Sequence, residues 1–194
     1  MLHSLAERMA VFLFDKNDEY PLEIYTYGLE LIISSVVETF VLIVLGVFLN
    51  SILETIVFVL SFSFLRFFTG GYHAQSYLKC AFVTVIVYLV VIFIYELFKD
   101  IFLSCQIGVI VFVFLLSFVF VYIFAPIENA NKKIENKRKT KQLALYILVL
   151  ELVLIVSGLL ANFSYLLVIL PTVFSVDVLM ILEFIRKRGD KVEQ

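Results

Sequence analysis

The sequence predicts an all-α, polytopic membrane protein with six transmembrane helices and an N-terminal amphipathic helix. Of its 194 residues, 62% are hydrophobic and only 16% are charged, and the mean hydropathy is +1.05. A soluble core cannot use so much apolar surface, so the composition predicts a lipid bilayer as the natural solvent. The charged residues cluster in breaks between long apolar runs, which predicts several separate spans. The net charge of −2 gives no indication of a nucleic-acid partner, and none is expected.

The first 14 residues predict an amphipathic helix and not a span, because Glu7 and Arg8 interrupt a short apolar run. Its apolar residues recur at roughly helical spacing: Leu2, Leu5, Met9, Phe12 and Leu13. Such a helix either lies in the membrane interface or packs on the protein's own cytosolic side. His3 is interpreted as part of its polar surface. No cleavable signal peptide is expected here, and a polar turn ending at Pro21 follows.

Six apolar runs follow, each near the ~20 residues that cross a bilayer as a helix. They are residues 28–49, 51–68, 78–97, 101–124, 142–160 and 163–184. The connections at 50–51 and 161–162 are so short that they force the helices they join to be antiparallel.

Six crossings place both termini on one side of the membrane, and the basic residues predict that this side is the cytosol. Lysines and arginines collect in the N-terminal segment, in the breaks after the second and fourth spans, and in the C-terminal tail, whereas the opposite face carries only Lys99. We expect one membrane-embedded domain over residues 1–194. Its parts are an interfacial helix and turn (1–21), a six-helix bundle (28–184) and a cytosolic tail (185–194).

Several ionisable residues lie inside the predicted spans, where an isolated charge is costly. Three are deep and are expected to make hydrogen bonds between helices: Glu38, Glu151 and Asp177. Glu96 and Glu183 lie near span ends and are expected to reach the headgroups. Glu30 and Arg66 share a depth at the cytosolic surface, where they either form an ion pair that braces a site or simply face headgroups.

The longest break in the apolar first half, RFFTGGYHAQSYLKC (residues 66–80), carries a possible catalytic pair. His73 and Cys80 lie seven residues apart in it. A thiol needs a base or a positive field to become a nucleophilic thiolate, and a histidine is a suitable base. In one straight helix, however, the two residues would be separated by about 10.5 Å of rise, which is too far for a direct hydrogen bond.

A turn between the two residues would permit contact. Gly70 and Gly71 allow the chain to turn freely, and Ser76 can cap a helix that starts at Tyr77. Cys80 would then lie in the first turn of this helix, where the helix dipole favours the thiolate. The histidine either folds back onto this cysteine or reaches the cysteine of another subunit.

A zinc site is the other chemistry that these residue types suggest. It would need to combine His73 and Cys80 with His3 and Cys105. Because Cys105 belongs to the fourth span near the opposite membrane face, these ligands do not converge. Neither a metal nor a cofactor is therefore expected, and Cys105 is interpreted as inert packing.

The residues of this break also carry a family resemblance. They are Arg66, TGGYHA at 69–74 and Cys80, supported by YGLE at 27–30 and by Ala125-Pro126, Glu128-Asn129 and Asn131-Lys132. With them the sequence resembles the AgrB family, the membrane-embedded cysteine endopeptidases of peptide quorum sensing in bacteria. The likeness covers nearly the whole chain in the number and order of spans.

The resemblance implies a thiol protease that removes the acidic C-terminal tail of a short autoinducing-peptide precursor with an amphipathic leader. It implies an acyl-enzyme thioester that a side chain of the precursor attacks, which gives a cyclic thiolactone or lactone. The family's catalytic histidine and cysteine fall on His73 and Cys80, and further residues required for activity fall on Glu30, Arg66 and Gly71. The resemblance also implies a homodimer in the cell membrane with its active site on the cytosolic side.

An alternative is a non-enzymatic six-helix transporter or scaffold that exports a peptide, in which the deep acids line a path. No inverted repeat is evident, and the chain is short for a secondary carrier. The basic loop at 132–141 is open to two interpretations as well. It either attracts an acidic peptide tail or serves membrane topology and headgroup contact.

Overall fold

A computed structural model of the chain describes residues 2–13, 21–70, 77–104, 106–127 and 136–190. Over these ranges the regular elements are all helical, which confirms the predicted all-α class. They are α1 (Leu2–Leu13), α2 (Leu22–Phe48), α3 (Ile52–Thr69), α4 (Tyr77–Ser104), α5 (Gln106–Phe124), α6 (Lys137–Leu160), a 3-10 helix (Ser164–Val168) and α7 (Ile169–Asp190).

Among the described residues, six helical segments are long and apolar enough to cross a membrane, which confirms the predicted number of spans. They cover residues 22–48, 52–69, 78–101, 107–124, 137–160 and 164–188. Several helices are longer than the apolar runs in the sequence. Helix α2 begins at Leu22, directly after Pro21, and α4 continues to Ser104. The difference arises because a helix continues through the polar residues at its ends, whereas hydropathy marks only its apolar part.

The chain divides into two compact units, residues 1–45 and residues 46–194. In the first unit, Ala6 and Ala10 of α1 are fully buried, whereas Phe12 is 87% exposed. Burial on one side and exposed large apolar residues on the other agree with the predicted amphipathic helix.

In the second unit, α7 is the central helix. It packs against α3, α4, α5 and the 3-10 helix, while α3 and α5 also pack against α6. The span at 164–188 is accordingly the most buried of the six. The other spans expose large apolar side chains outward, which suits a lipid environment, so that packing and internal hydrogen bonds hold the helices together.

Small residues let the chain pack closely beside the two short connections. A Cβ atom on Gly46 would overlap the side chain of Thr55, and one on Gly158 would overlap the side chain of Leu166. At the first connection, Asn50 has a φ of 53°, and the Ser51 N–H donates to the Gly46 carbonyl over 2.9 Å. The backbone therefore reverses within a few residues, as the sequence predicts.

Polar side chains join the helices inside the second unit. The Ser61 hydroxyl of α3 donates to Glu151 Oε1 of α6 over 2.7 Å, and the Ser117 hydroxyl of α5 donates to Asp177 Oδ2 of α7. These bonds confirm the interhelical hydrogen bonds expected of the two acids. The expectation for Glu183 is wrong, because this residue is only 1% exposed. It lies on the most buried helix, where its carboxylate is 3.5 Å from the Arg186 guanidinium.

Candidate functional site

The structure describes four of the predicted site residues: Glu30, Arg66, Gly70 and Cys80. The other three, Gly71, His73 and Ser76, lie outside the described residues. Their expected roles, including contact between the histidine and the cysteine, stay predictions.

Cys80 lies in the first turn of α4, which begins at Tyr77 as the sequence predicts. Its thiol is free and half-buried. The first turn of a helix presents backbone N–H groups and the positive end of the helix dipole, and both favour an anionic side chain. The position therefore suits a thiolate.

Arg66 adds a full positive charge beside this sulfur. Its Nη2 donates to Cys80 Sγ over 3.7 Å, and it comes from the last turn of α3. The guanidinium carbon lies 5.2 Å from the centre of the Phe62 ring, a cation–π contact that helps to orient it. The sequence places Arg66 at the site but does not reveal this contact, because the two residues belong to different helices.

Gly70 ends α3 in a conformation that only glycine adopts readily, with a φ of 74° and a ψ of −149°. It forms an isolated parallel bridge with Ile127, in which the Ile127 N–H donates to the Thr69 carbonyl over 3.0 Å. A Cβ atom at Gly70 would overlap the Ile127 carbonyl oxygen. The chain is therefore held at Gly70, three residues before His73, by the segment that follows α5.

This bridge gives Ile127 a role that the sequence does not indicate. The sequence singles out this segment through the Ala125-Pro126 pair of the family resemblance. The peptide bond between these two residues is cis. No local pattern, however, connects it with a glycine far earlier in the chain. Only the packing of the helices brings the two loops together.

Glu30 belongs to the N-terminal unit and is 8% exposed. His3 Nδ1 lies 2.5 Å from Glu30 Oε1, so the side chains of α1 and α2 are joined. The interpretation of His3 as polar surface misses this contact, because the two residues are separated by 27 positions. The expected ion pair between Glu30 and Arg66 stays a prediction.

One of the basic residues after the fourth span has a structural contact. Lys141 Nζ donates to the Tyr122 carbonyl over 2.9 Å and lies 5.3 Å from the centre of the Tyr122 ring. It thereby joins the start of α6 to the end of α5. The ammonium group of Lys141 therefore helps to hold these two helix ends together.

Within the described ranges, no group of three or more His, Cys, Asp or Glu side chains is arranged to hold a metal ion. The arrangement that the structure does provide is a thiol at a helix start beside a guanidinium. These groups can stabilise a sulfur anion, which is the form of cysteine that attacks carbonyl carbon.

Comparison with known proteins agrees with the resemblance seen in the motif. The sequence model described as "Accessory gene regulator B" matches residues 6–182. An AgrB-like protein 2 of Clostridium perfringens strain 13 is 28% identical over 128 residues, which cover 62% of this chain and 58% of the relative. An AgrB-like protein of C. perfringens strain SM101 is 27% identical over 125 residues, with the same coverage of 62% and 58%. The matches thus span less than two thirds of these relatives. No solved structure matches the chain.

Proposed function

Because the chain belongs to the accessory gene regulator B family, we propose that it is a membrane cysteine endopeptidase that processes a quorum-sensing peptide. It removes the C-terminal tail of an autoinducing-peptide precursor and promotes closure of the remaining peptide into a thiolactone or lactone. The observation that carries the proposal is the contact between the Arg66 guanidinium and Cys80 Sγ at the start of α4.

In the first step, the Cys80 sulfur attacks the carbonyl carbon of the scissile peptide bond. His73 accepts the thiol proton and later gives it to the leaving amine, so that the tail departs as a neutral amine and a thioester remains. The positive charge of Arg66 lies beside the attacking sulfur.

In the second step, a cysteine or serine side chain of the bound precursor attacks the thioester carbonyl. The new ring bond forms, the bond to the Cys80 sulfur breaks, and the attacking group gives up its proton to His73. A thioester stores enough energy for this exchange, whereas the original peptide bond does not. Water competes for the same carbonyl, so the reaction benefits from an apolar boundary that keeps water away.

Exposed apolar residues that are close to Arg66 and Cys80 in sequence would contribute to such a boundary. Phe67 is 62% exposed and Leu78 is 84% exposed, and both lie close in sequence to the Arg66–Cys80 contact. Large apolar side chains at a helix end insert into lipid or bind the apolar face of an amphipathic peptide. This arrangement supports a membrane-associated precursor with an amphipathic leader as the substrate.

The bridge between Gly70 and Ile127 supports a positioning role for Gly70. It anchors the chain immediately before Gly71 and His73, and a catalytic base must be held within hydrogen-bond reach of its partner. Ser76 completes this proposal as the cap of α4, and Glu30 supports the site without taking part in the chemistry.

We further propose that the acidic tail of the precursor, the lipid bilayer and a second copy of the chain are the partners. The active site and both termini face the cytosol of a bacterial cell. The basic residues that collect on that side attract the acidic tail.

The decisive experiment is the intact mass of the purified protein after brief exposure to a precursor peptide. A hydroxylamine-sensitive adduct should form on the wild type and be absent from Cys80→Ala, which should bind but not cleave the peptide. Cys80→Ser should lose nearly all turnover, because a hydroxyl is much harder to ionise than a thiol. His73→Ala should lose turnover by roughly 10²–10⁴-fold.

Cys105→Ala is the matched control, since it removes the other cysteine and should leave turnover almost unchanged. Normal cleavage by Cys80→Ala would remove this mechanism and leave the transporter or scaffold alternative.

A further inference from the structure

Two buried carboxyl groups in the C-terminal unit have no part in the proposed peptidase reaction. Glu151 of α6 is 4% exposed and Asp177 of α7 is fully buried. Both lie within segments that are long and apolar enough to cross a membrane. Their retention in such an environment calls for a physical reason.

Each carboxyl group has one oxygen with a donor and one without. Glu151 Oε1 accepts from Ser61, and Asp177 Oδ2 accepts from Ser117. Among the residues that the structure describes, Glu151 Oε2 and Asp177 Oδ1 have no hydrogen-bond partner. A neutral hydroxyl on one oxygen compensates poorly for the loss of water around a full negative charge.

The two groups belong to one cluster of four helices. Their serine donors come from α3 and α5, which each pack against both α6 and α7. Glu151 and Asp177 thus lie on two helices that contact the same two serine-bearing neighbours. If both were ionised, two like charges would therefore repel each other in a medium that screens them weakly.

The charged groups of the packed helices lie toward the helix ends and are engaged elsewhere. Arg66 contacts Cys80, Lys99 contacts Glu96 and Arg186 contacts Glu183. The remaining charged residues of α3, α4, α6 and α7 are also near the helix ends: Glu54, Lys79, Asp100, Lys137, Arg138, Lys139, Lys141, Lys187, Arg188 and Asp190. Helix α5 and the 3-10 helix carry no charged residue and contribute only Tyr122 and Tyr165. The further tyrosines are Tyr77, Tyr88 and Tyr95 on α4 and Tyr146 on α6.

We propose that Glu151 and Asp177 are a proton-binding pair in the core of the helix bundle, each holding a proton at neutral pH. A proton neutralises each carboxylate without requiring a cavity. A metal ion would need a larger ligand set, and the described residues form no such group of three or more. Loss of the protons would place two like charges between the helix pairs, so the packing of the bundle responds to proton supply.

Infrared spectroscopy of the full-length protein in lipid vesicles tests this proposal directly. At neutral pH, the wild type should show the carbonyl stretching band of a protonated carboxylic acid, which is separate from the bands of ionised carboxylates. Glu151→Gln and Asp177→Asn should each remove one contribution, and the double variant should lose both. The amides keep the size of the side chains and their acceptor oxygens, so the folded bundle is retained.

One further variant serves as the control. Glu96→Gln removes an exposed carboxylate whose oxygen lies 2.7 Å from Lys99 Nζ. It should not change the band, because the lysine compensates this charge at the surface. Lack of the band in the wild type, or an unchanged band in the double variant, would overturn the proposal. If a variant fails to accumulate, the wild-type spectrum still tests whether a protonated carboxylic acid is present. Neither the wild-type spectrum nor the variant spectra depend on peptidase activity.

Discussion

Arg66 is the residue whose contacts bear most directly on the proposed chemistry. Its guanidinium lies beside the Cys80 sulfur and over the Phe62 ring. A hydrogen bond to a charged group typically contributes about 1.5–3 kcal/mol. Each ~1.4 kcal/mol of transition-state or thiolate stabilisation corresponds to a tenfold change in rate.

Arg66→Ala should therefore lower the rate of precursor cleavage by roughly 10–100-fold, without preventing membrane insertion. Arg66→Lys should recover part of the rate, because it restores the charge but not the planar geometry. A second readout is alkylation of Cys80 in a Cys105→Ala background, which should slow in Arg66→Ala because the positive charge beside the sulfur is lost. Arg188→Ala removes an exposed arginine at the end of α7 and serves as the control. Wild-type cleavage and alkylation rates in Arg66→Ala would contradict this role.

The backbone conformation of Gly70 leads to a second prediction for a single residue. Gly70→Ala should destabilise the protein by about 1–3 kcal/mol, because the new side chain opposes the positive φ and meets the Ile127 carbonyl. Cleavage should fall with it, since His73 follows three residues later in the sequence. The measurement is the thermal unfolding midpoint in detergent. Gly108→Ala is the control, because no atom lies within 4 Å of its new Cβ; equal midpoints for the two variants would refute the strain argument.

At the scale of helices, the short connection between α2 and α3 depends on close packing. Thr55 is fully buried beside Gly46, and its hydroxyl forms a 2.7 Å hydrogen bond with the Tyr88 hydroxyl of α4. Three helices thus meet at one threonine. A larger residue at position 46 must displace a side chain that is already bonded.

We expect Gly46→Ala to lower stability by about 1–3 kcal/mol, as overpacking in a filled core commonly does. The matched control is Gly28→Ala in the same helix, where nothing lies within 4 Å of the added Cβ. Thermal unfolding of both variants in the same detergent measures the difference. If Gly46→Ala unfolded no earlier than Gly28→Ala, the close packing at this hairpin would be disproved.

For the whole molecule, the distribution of charge determines the orientation in the membrane. The basic residues at the start of α6 and the end of α7 belong to the face that we expect in the cytosol, and Lys99 near the end of α4 belongs to the opposite face. This orientation would place the start of α4, and Cys80 with it, at the cytosolic surface.

Cysteine-accessibility labelling tests this orientation. In a background without Cys80 and Cys105, a membrane-impermeant reagent should label Lys99→Cys from outside intact cells. It should label Lys137→Cys only after the cells are opened. Both substitutions lie near helix ends, where they should not disturb membrane insertion. Labelling of both positions from the same side would contradict six crossings.

The sequence by itself determined the elements of this protein, and the tertiary structure decided their contacts. The spans were predictable because the thickness of a bilayer fixes how long an apolar helix must be. That Cys80 lies on a helix could be predicted, because the apolar run that begins beside it is long enough to span a membrane. Hydrogen bonds of Glu151 and Asp177 to other helices could also be predicted, since a buried carboxyl group needs a hydrogen-bond donor.

The partners themselves could not be predicted in this way. The contacts of Arg66 with Cys80, of Gly70 with Ile127 and of His3 with Glu30 each join different elements. The burial of Glu183 depends on the central position of α7, which its hydropathy does not reveal. Apolar length sets where a helix crosses the membrane. The helix face that meets a neighbour follows only from how all the side chains pack together.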